Sequence, residues 1–416
     1  MPMNLAEMLV YADIAELTAI AETYECSCSS HSKNELIQSI LSTVGRRDVI
    51  ESRVGEMTAA DLRFLNSLLF ESRGSYSLEE LKARALAGDT AGNKSADDKQ
   101  QTDRPHTEKA PVQVPSSKTG RSRKAKNKEP EAPLAPEDVA RRAISRFKKF
   151  GWLFNGFSQQ TRYLYQVPED VKKRLSEALE RRYRTLLDGR EEPPAYRDEG
   201  TLMLDDLLQL LKFVRDNDLQ ITSEGVLYKR QIGQLIEQLA VHEAIPTRGG
   251  WRFGYGKHFR DYPDRLSLLY DFAYYHKLID EGADRLTITE AGRDMADGIV
   301  RPEPPELYRF WQRLYKSPIP NVTTLVQWVM RLATEWVTVE SLFAILQPLV
   351  RSYYYDTSRD VFERRVLAIL MHLGMIKWGQ TAAGENVVRA TTQGRMLVAG
   401  NAIAFEDTIV LNRELN

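Results

Sequence analysis

The sequence predicts a mainly helical protein with small β-hairpins, built from more than one domain. Three observations lead to this fold class. Apolar residues recur at helical spacing through most of the chain, residues 89–135 contain almost no large apolar side chains, and one short motif is repeated 102 residues apart, at Thr289 and Thr391. At about 100–200 residues per domain, the 416 residues allow two to four domains.

The composition shows no strong charge bias. Apolar residues make up 42% and charged residues 28% of the chain, and 57 Lys and Arg against 58 Asp and Glu leave a net charge of −1. This balance excludes a globally basic, histone-like binder and a strongly acidic tail protein, although local patches remain compatible with it. The two cysteines, Cys26 and Cys28, exclude a disulfide scaffold and are typical of a reducing compartment.

No targeting or membrane segment is visible in the sequence. The N-terminus has no basic stretch followed by an apolar run, and nothing approaches the ~18 unbroken apolar residues of a membrane span. We therefore expect a soluble, cytoplasmic protein without a membrane partner.

Helix signals fill residues 1–88, which we expect to form a small helical domain. Apolar residues between Leu5 and Ile20 follow helical spacing, with a break near Asp13. Ser32-Lys33-Asn34-Glu35 has the form of a capping box that opens the next helix. Two further helices are expected to begin near residues 58 and 77.

Residues 89–135 are expected to be a disordered basic linker. They are rich in Lys, Asp, Ser, Thr, Pro and Gln, and such a segment cannot bury enough apolar surface to offset its ordering entropy. We expect this linker to be protease-sensitive. Residues 136–200 follow as a helical connector, whose first helix should begin at Pro136.

The repeated motif, Thr-x-x-Gly-Arg-x4-Gly, indicates two similar units near the C-terminus. Each copy follows an apolar helix, a turn and a short β-like run, Leu286-Thr287-Ile288 in the first and Val387-Val388 in the second. A helix, a hairpin and a capped short helix form the back half of a winged helix. The threonine is expected to cap the closing helix and the glycine to relieve crowding. The repeat therefore predicts tandem winged-helix modules over residues 201–300 and 301–416.

The front half of the first module carries a further signal. Leu219 to Tyr228 is expected to form two short strands around a turn. The string Ile221-Thr222-Ser223-Glu224-Gly225-Val226-Leu227-Tyr228-Lys229-Arg230 resembles the L-T-x-x-G-x-L-x-K-R element of the bacterial helicase-associated domain, which is similar to the N-terminal region of XPB-type helicases. The resemblance covers roughly residues 204–298 and continues more faintly to 400.

This resemblance implies an accessory role linked to nucleic acid rather than ATP hydrolysis. No helicase motor accompanies the domain, and the one phosphate-loop-like string, Gly88 to Ser95, has the wrong spacing and follows no strand. Residues 12–44 are in addition similar to the SAP helix-extended-helix DNA-binding motif, through the pattern Ser32-Lys33-x-x-Leu36-Ile37-x-x-Ile40. A plain helical domain is the alternative for this segment.

No pattern indicates catalysis, a metal or a cofactor. Cys26, Cys28 and His31 could begin a zinc site, but structural zinc generally takes four ligands, and no further cysteine completes the set. There is no Gly-x-Ser-x-Gly motif, and Gly254-Tyr255-Gly256 lacks the third glycine of a dinucleotide fingerprint. We therefore expect a non-enzymatic protein with no cofactor and no metal.

Basic side chains mark the candidate nucleic-acid contacts. From Lys118 to Lys149 the chain carries 11 basic and 4 acidic residues, which suits a flexible arm that gathers phosphates by counterion release. A linker that merely stays soluble is the alternative. Residues 251–260 interleave aromatic and basic side chains, which can stack on bases or pack under the first module. The full set of candidates is Lys118, Arg121, Arg123, Lys124, Lys126, Lys128, Arg142, Arg146, Lys149, Lys229, Arg230, Arg252, Lys257, Arg260, Arg359, Arg364 and Arg365.

Two functions remain open at the level of the sequence. The first is a non-enzymatic, nucleic-acid-binding accessory protein that acts in transcription, repair or helicase-linked processes, with DNA and a helicase, transcription or repair protein as partners. The second is an interaction scaffold whose winged helices dock a protein partner. The basic arm and both resemblances favour the first function. The near-zero net charge and the acidic first recognition helix, at about residues 264–278, favour the second.

Overall fold

The computed structural model describes residues 3–26, 32–71, 74–86, 135–246, 256–258 and 260–401. Over these ranges the protein is mainly helical with small antiparallel sheets, which confirms the predicted mixture of helices and small β elements. Nearly all of the predicted disordered linker, residues 89–135, lies outside the described residues. In the described part of the chain, no helix is long and apolar enough to cross a bilayer.

Short capped helices form the N-terminal part. The elements are α1 (Leu5–Tyr11), α2 (Ile14–Thr23), α3 (Lys33–Val44), α4 (Arg47–Gly55), α5 (Ala59–Leu69), β1 (Tyr76–Ser77) and α6 (Leu78–Leu86). Asn4, Ser32 and Thr58 each accept a hydrogen bond from the backbone N–H three residues further on, which satisfies one of the free donors of a helix start. Ser32 therefore caps α3, as its sequence predicts.

A helical connector follows, and its first helix begins at Pro136 as predicted. Its elements are α7 (Pro136–Lys149), β2 (Phe154–Asn155), β3 (Leu164–Gln166), α8 (Glu169–Arg184) and β4 (Ala195–Arg197). Strand β3 lies between β1 and β2 in a three-stranded antiparallel sheet. The N-terminal part thus contributes an edge strand to a sheet of the connector.

Residues 3–86 share a continuous hydrophobic core with the rest of the described chain. Polar contacts reinforce this packing: the Trp328 indole N–H donates to Asn66 Oδ1 at 2.6 Å, and Arg181 pairs with Glu51 at 2.6 Å. The segment predicted as a separate small domain, residues 1–88, therefore packs directly on the connector and on the second of the two repeated units.

The first unit follows the connector. Its elements are α9 (Leu202–Asp216), β5 (Leu219–Gln220), α10 (Lys229–Gln238), α11 (Asp264–Tyr275), β6 (Ile279–Glu281), β7 (Arg285–Ile288) and α12 (Glu290–Ala296), and the sheet order is β5-β7-β6. The predicted pair of strands between Leu219 and Tyr228 is reduced to a single bridge, Ile221 to Leu227, because β5 pairs with β7 instead.

The second unit is preceded by α13 (Pro304–Tyr315). Its elements are α14 (Val322–Leu332), β8 (Val337–Thr338), α15 (Val339–Leu346), a 3₁₀ turn (Gln347–Leu349), α16 (Ser358–Asp360), a π-helical segment (Val361–Leu367), α17 (Ala368–His372), β9 (Ile376–Gln380), β10 (Asn386–Ala390) and α18 (Thr392–Asn401). Val387 and Val388 lie in β10, where the repeat predicts a strand. The sheet order is β4-β9-β10-β8, so the connector supplies one edge.

We call α11 the third helix of the first unit, and the continuous helix of residues 358–372 the third helix of the second. Each ends on a residue in the left-handed region, Lys277 at φ 57° and Gly374 at φ 67°. The hydroxyl of Thr289 donates to the Lys277 carbonyl at 2.6 Å, and that of Thr391 donates to the Gly374 carbonyl at 2.8 Å. Both threonines also cap the closing helix of their unit, which confirms the predicted capping role.

The motif glycines pack against the end of the third helix. A Cβ on Gly292 would overlap the carbonyl oxygen of Leu278, and a Cβ on Gly394 would overlap that of Met375. In both units the closing helix therefore approaches the backbone too closely for any side chain, as the sequence predicts. The repeat is a structural device that docks the closing helix on the third helix and its hairpin.

Candidate functional site

The third helix of the first unit is buried on all sides. Every residue from Arg265 to Ala273 is buried, including the charged side chains of Arg265 and Asp271. A recognition helix has to present one face to the major groove of DNA. The helix predicted to be the first recognition helix therefore offers no such face.

The third helix of the second unit is nearly as enclosed. Val361, Phe362, Val366 and most of the following residues to His372 are buried. Arg359 keeps about half of its side chain in solvent but pairs with Glu340 at 2.5 Å and with Glu363 at 2.6 Å. The predicted contact Arg359 thus lies at the surface with its charge already matched.

An ion-pair cluster joins the two third helices. Arg365 is 5% exposed, and its guanidinium lies 2.8 Å from Asp264, the first residue of α11, and 2.9 Å from Asp356. Arg364 contacts the same Asp264 at 3.3 Å. Burial lowers the pKa of Arg365, but the nearby carboxylates outweigh burial and raise it overall. Arg365, predicted as a nucleic-acid contact, is instead buried and held by two carboxylates.

A second buried cluster reinforces this junction. Glu199 is 2% exposed, accepts a hydrogen bond at 2.9 Å from His372 Nδ1 and lies 3.4 Å from the Nε of Arg265. Arg265 also contacts Asp206 on α9. Burial raises the pKa of Glu199, but the bond from His372 and the nearby arginines outweigh burial and lower it overall. We call the two clusters together the inter-unit network; its members are Glu199, Asp206, Asp264, Arg265, Asp356, Arg364, Arg365 and His372.

Lys257, another predicted contact, is held inside the first unit. Its ammonium contacts the Glu281 carboxylate and lies 3.7 Å from the centre of the Tyr274 ring. Glu281 also accepts from Tyr270 at 2.8 Å and lies 3.2 Å from the Nε2 of His258. Burial raises the pKa of Glu281, but the hydrogen bonds from these neighbours outweigh burial and lower it. Lys257 is therefore engaged in an ion pair and a ring contact within the first unit.

The basic face of α7 is present as predicted. Arg142 and Lys149 are exposed and have no acidic partner in the described part of the chain. Arg146 lies on the same face but contacts Asp61, the buried acidic residue of the capping box that begins α5. This arginine therefore neutralises a buried carboxylate, and two free cations remain on the helix.

The other predicted contacts are divided between exposed residues and residues outside the described ranges. Lys229 and Arg230 are exposed at the start of α10, with no acidic partner in the described ranges, and Arg260 is exposed in the loop before α11. The following candidates lie outside the described residues: Arg252, Lys118, Arg121, Arg123, Lys124, Lys126 and Lys128.

A cationic cleft at the base of the β9–β10 hairpin was missed by the sequence analysis. Lys377, Arg389 and Arg395 line a cleft of about 430 Å³, together with Asp198 and the start of α18. The three cations are close together in the chain, and the strand register brings Lys377 opposite Arg389. We call this feature the hairpin cleft. The sequence predicts the hairpin, but only the register of β9 and β10 and the position of α18 show that these side chains line one cleft.

Neither metal-ligating residues nor similarity to known proteins assigns a function to the described residues. Among the described residues, no group of three or more His, Cys, Asp or Glu side chains could hold a metal ion. Cys26 is half-buried and packs against α3, while Cys28 and His31 lie outside the described residues. No family model, curated protein or solved structure matches the chain.

Proposed function

We propose that this chain is a non-enzymatic interaction scaffold built on two winged-helix modules whose third helices hold the modules together. The observation that carries the proposal is the inter-unit network, in which Asp264 of one third helix pairs with Arg364 and Arg365 of the other. Helix-turn-helix proteins present their recognition helix to DNA. In this proposal the corresponding third helices contact each other instead.

The order of elements supports the winged-helix assignment. Both units run helix, strand, helix, helix, strand, strand and closing helix. In both, the first strand pairs with the last strand of the hairpin, so the three strands have the same order. Two units with one topology and one motif are economically explained as copies of a single module.

An exposed apolar surface supports a protein partner. Val10, Tyr11, Ile14 and Phe157 are 48–60% exposed, and the rings of Tyr11 and Phe157 stack with centroids 4.4 Å apart. We call these four residues the aromatic patch. Covering exposed apolar side chains with a protein surface lowers the free energy. The patch is accordingly the surface at which a partner protein docks.

The experiment that tests this function is site-specific photo-crosslinking in cells. A photo-reactive amino acid at position 11 of the full chain is expected to give one discrete protein adduct. The matched control carries the same amino acid at position 173, an exposed site on α8. Phe157→Ser should abolish the adduct at position 11. The same adduct from both positions, or no adduct from position 11, contradicts the scaffold.

A second candidate function is nucleic-acid binding through cations outside the third helices. The observation that favours it is the exposure of Arg142, Lys149, Lys229 and Arg230 without acidic partners in the described chain. Its test compares two charge-neutralising pairs on mixed-sequence duplex DNA across a range of salt.

The informative pair in this test is Lys229→Gln with Arg230→Gln, and the control pair is Arg359→Gln with Arg364→Gln, whose charges are already matched. Phosphate binding predicts that the first pair flattens the salt dependence by about 0.9 logarithmic units per lost contact. The control pair should leave the slope unchanged. Absence of any binding at low salt rejects this candidate.

A further inference from the structure

We propose that the hairpin cleft of the second unit is a binding site for a phosphate-bearing ligand of nucleotide size. This inference goes beyond the scaffold function and does not depend on it. It rests on three observations: the convergence of three cations on one cleft, the spare hydrogen-bonding capacity of two of them, and the different residues at the matching positions of the first unit.

Convergence comes from the fold. Lys377 on β9 lies directly opposite Arg389 on β10, and Arg395 approaches from α18. Like charges directly opposite each other in an antiparallel pair repel. Asp198 is the only carboxylate among the described residues that line the cleft, and it pairs with Lys377 at 2.9 Å. Three cations against one carboxylate leave an excess of positive charge, which an anion would neutralise.

The two guanidinium groups keep most of their donors available. Among the described residues, Arg389 has an ion-pair partner only in Glu335, 3.8 Å away and largely in solvent, and an exposed contact of this length contributes little. Within the same residues, Arg395 makes one long hydrogen bond, 3.5 Å, to the Thr392 hydroxyl. A guanidinium offers five N–H donors in a planar fork that matches phosphate oxygens. Two guanidinium groups beside one lysine therefore suit a phosphate group better than an uncharged, apolar ligand.

The first unit provides an internal comparison. Counted from the left-handed residue that ends each third helix, the position of Lys377 corresponds to Asp280. Counted back from the motif threonine of each unit, the position of Arg389 corresponds to Thr287. Asp280 and Thr287 are themselves paired across the hairpin. The fold of the unit therefore does not require cations at these two positions. Lys377 is partly accounted for by its ion pair with Asp198. Arg389 has no comparably close carboxylate among the described residues, which is consistent with a ligand.

The size of the cleft limits the ligand. A volume of about 430 Å³ falls in the range of roughly 300–1,000 Å³ that small-molecule sites occupy, and it exceeds what a single phosphate ion fills. The phosphate belongs either to a free nucleotide or to a nucleotide within a strand. Both share the chemistry that the three cations recognise, and the experiment has one arm for each.

The test measures binding of adenosine diphosphate and of a 12-nucleotide single-stranded DNA to the full chain by calorimetry at 50 mM salt. We expect at least one probe to bind, and the double variant Arg389→Gln with Arg395→Gln to weaken that binding at least tenfold. If only the diphosphate binds tightly, the ligand of the hairpin cleft is a free nucleotide. If only the DNA strand binds, the ligand is a nucleic acid.

The matched control is Arg293→Gln, the arginine at the same place in the motif of the first unit, where Asp280 replaces the lysine. This control should bind the probe as the unaltered chain does. If the double variant loses helical structure by circular dichroism, Arg395→Gln alone is used, because Arg395 is exposed. The proposal is overturned if neither probe binds, or if the cleft variants bind as tightly as Arg293→Gln. Either result leaves the crosslinking test of the scaffold unaffected.

Discussion

Asp271 lies in the middle of the buried third helix of the first unit. Its side chain is fully buried; Oδ1 accepts the Lys257 backbone N–H at 3.0 Å, and Oδ2 has no hydrogen-bond partner in the described structure. Burial raises the pKa of this carboxyl to about 7, because one backbone hydrogen bond and the nearby lysine do not replace the lost hydration. Ionised Asp271 is therefore a local cost to the fold.

Removing this carboxylate should stabilise the protein at high pH. The folded state binds the proton more tightly than the unfolded state, so this group makes stability fall as pH rises from about 4 to about 7. Asp271→Asn keeps the shape without the charge. We expect a gain of about 1–3 kcal/mol in the free energy of unfolding at pH 8 and almost none at pH 4. Urea unfolding at both pH values measures the free energy of unfolding, and the exposed Asp284→Asn is the control. If the stability of both variants depends on pH in the same way, the burial of the Asp271 charge is not the cause.

Single residues also mark the limit of what the sequence could predict. One of the two partners of Arg365 is Asp264, 101 residues earlier, and no residue near Arg365 in the sequence indicates a carboxylate from another unit. In the sequence, Arg365 therefore looks like an unpaired cation at the start of a helix. The cations of the hairpin cleft are close together in the sequence, but the face of the hairpin that they share depends on the register of β9 and β10, which the sequence alone does not reveal.

At the level of elements, local chemistry was predictable. The Ser32 cap, the helix start at Pro136 and the strand at Val387 depend on side chains within a few residues, so the sequence contains their full cause. The last glycine of the repeated motif is less uniform: Gly298 follows α12 at φ 78°, whereas Gly400 lies within α18. The threonine and the first glycine of the motif therefore have the same structural role in both units, whereas the last glycine does not.

The close approach of the closing helices gives a sharp prediction for the motif glycines. Gly292→Ala and Gly394→Ala should each lower the free energy of unfolding by about 2 kcal/mol or more, because the new methyl group overlaps a backbone carbonyl that cannot move alone. Gly233→Ala on α10 is the matched control. Its Cβ meets no atom within 4 Å, and it should stabilise the helix by about 0.5–1 kcal/mol. Thermal and urea unfolding test all three, and a neutral Gly292→Ala contradicts the proposed docking.

At the scale of the whole molecule, distant segments form one packed body. The N-terminal helices lie against α7, α8 and α14, and contacts such as Arg146 with Asp61 cross the predicted linker. The composition of residues 89–135 marks a boundary in the sequence, but composition carries no information about whether the flanking segments bind each other. Whether the flanking segments bind each other depends on how well their buried surfaces match, and this is visible only in the folded structure.

This packing changes the expected outcome of limited proteolysis. Cleavage within residues 89–134 should separate the chain into two fragments on a denaturing gel. The two fragments should nevertheless elute together as one species on native size exclusion, because β1 remains paired with β3 and the shared core is intact. Dissociation should require a denaturant. A small N-terminal fragment that elutes alone under native conditions contradicts the shared core.

The central claim is that both third helices are enclosed where the two units meet and are not groove-reading surfaces. Amide hydrogen exchange of the full chain, with and without mixed-sequence duplex DNA, tests it most directly. Exchange from buried, packed helices requires large-scale opening. We predict that α11 and residues 361–372 rank among the slowest-exchanging segments, and that duplex DNA leaves their protection unchanged. Exchange as fast as that of the exposed start of α10, or protection of either third helix that increases when DNA is added, would contradict the claim.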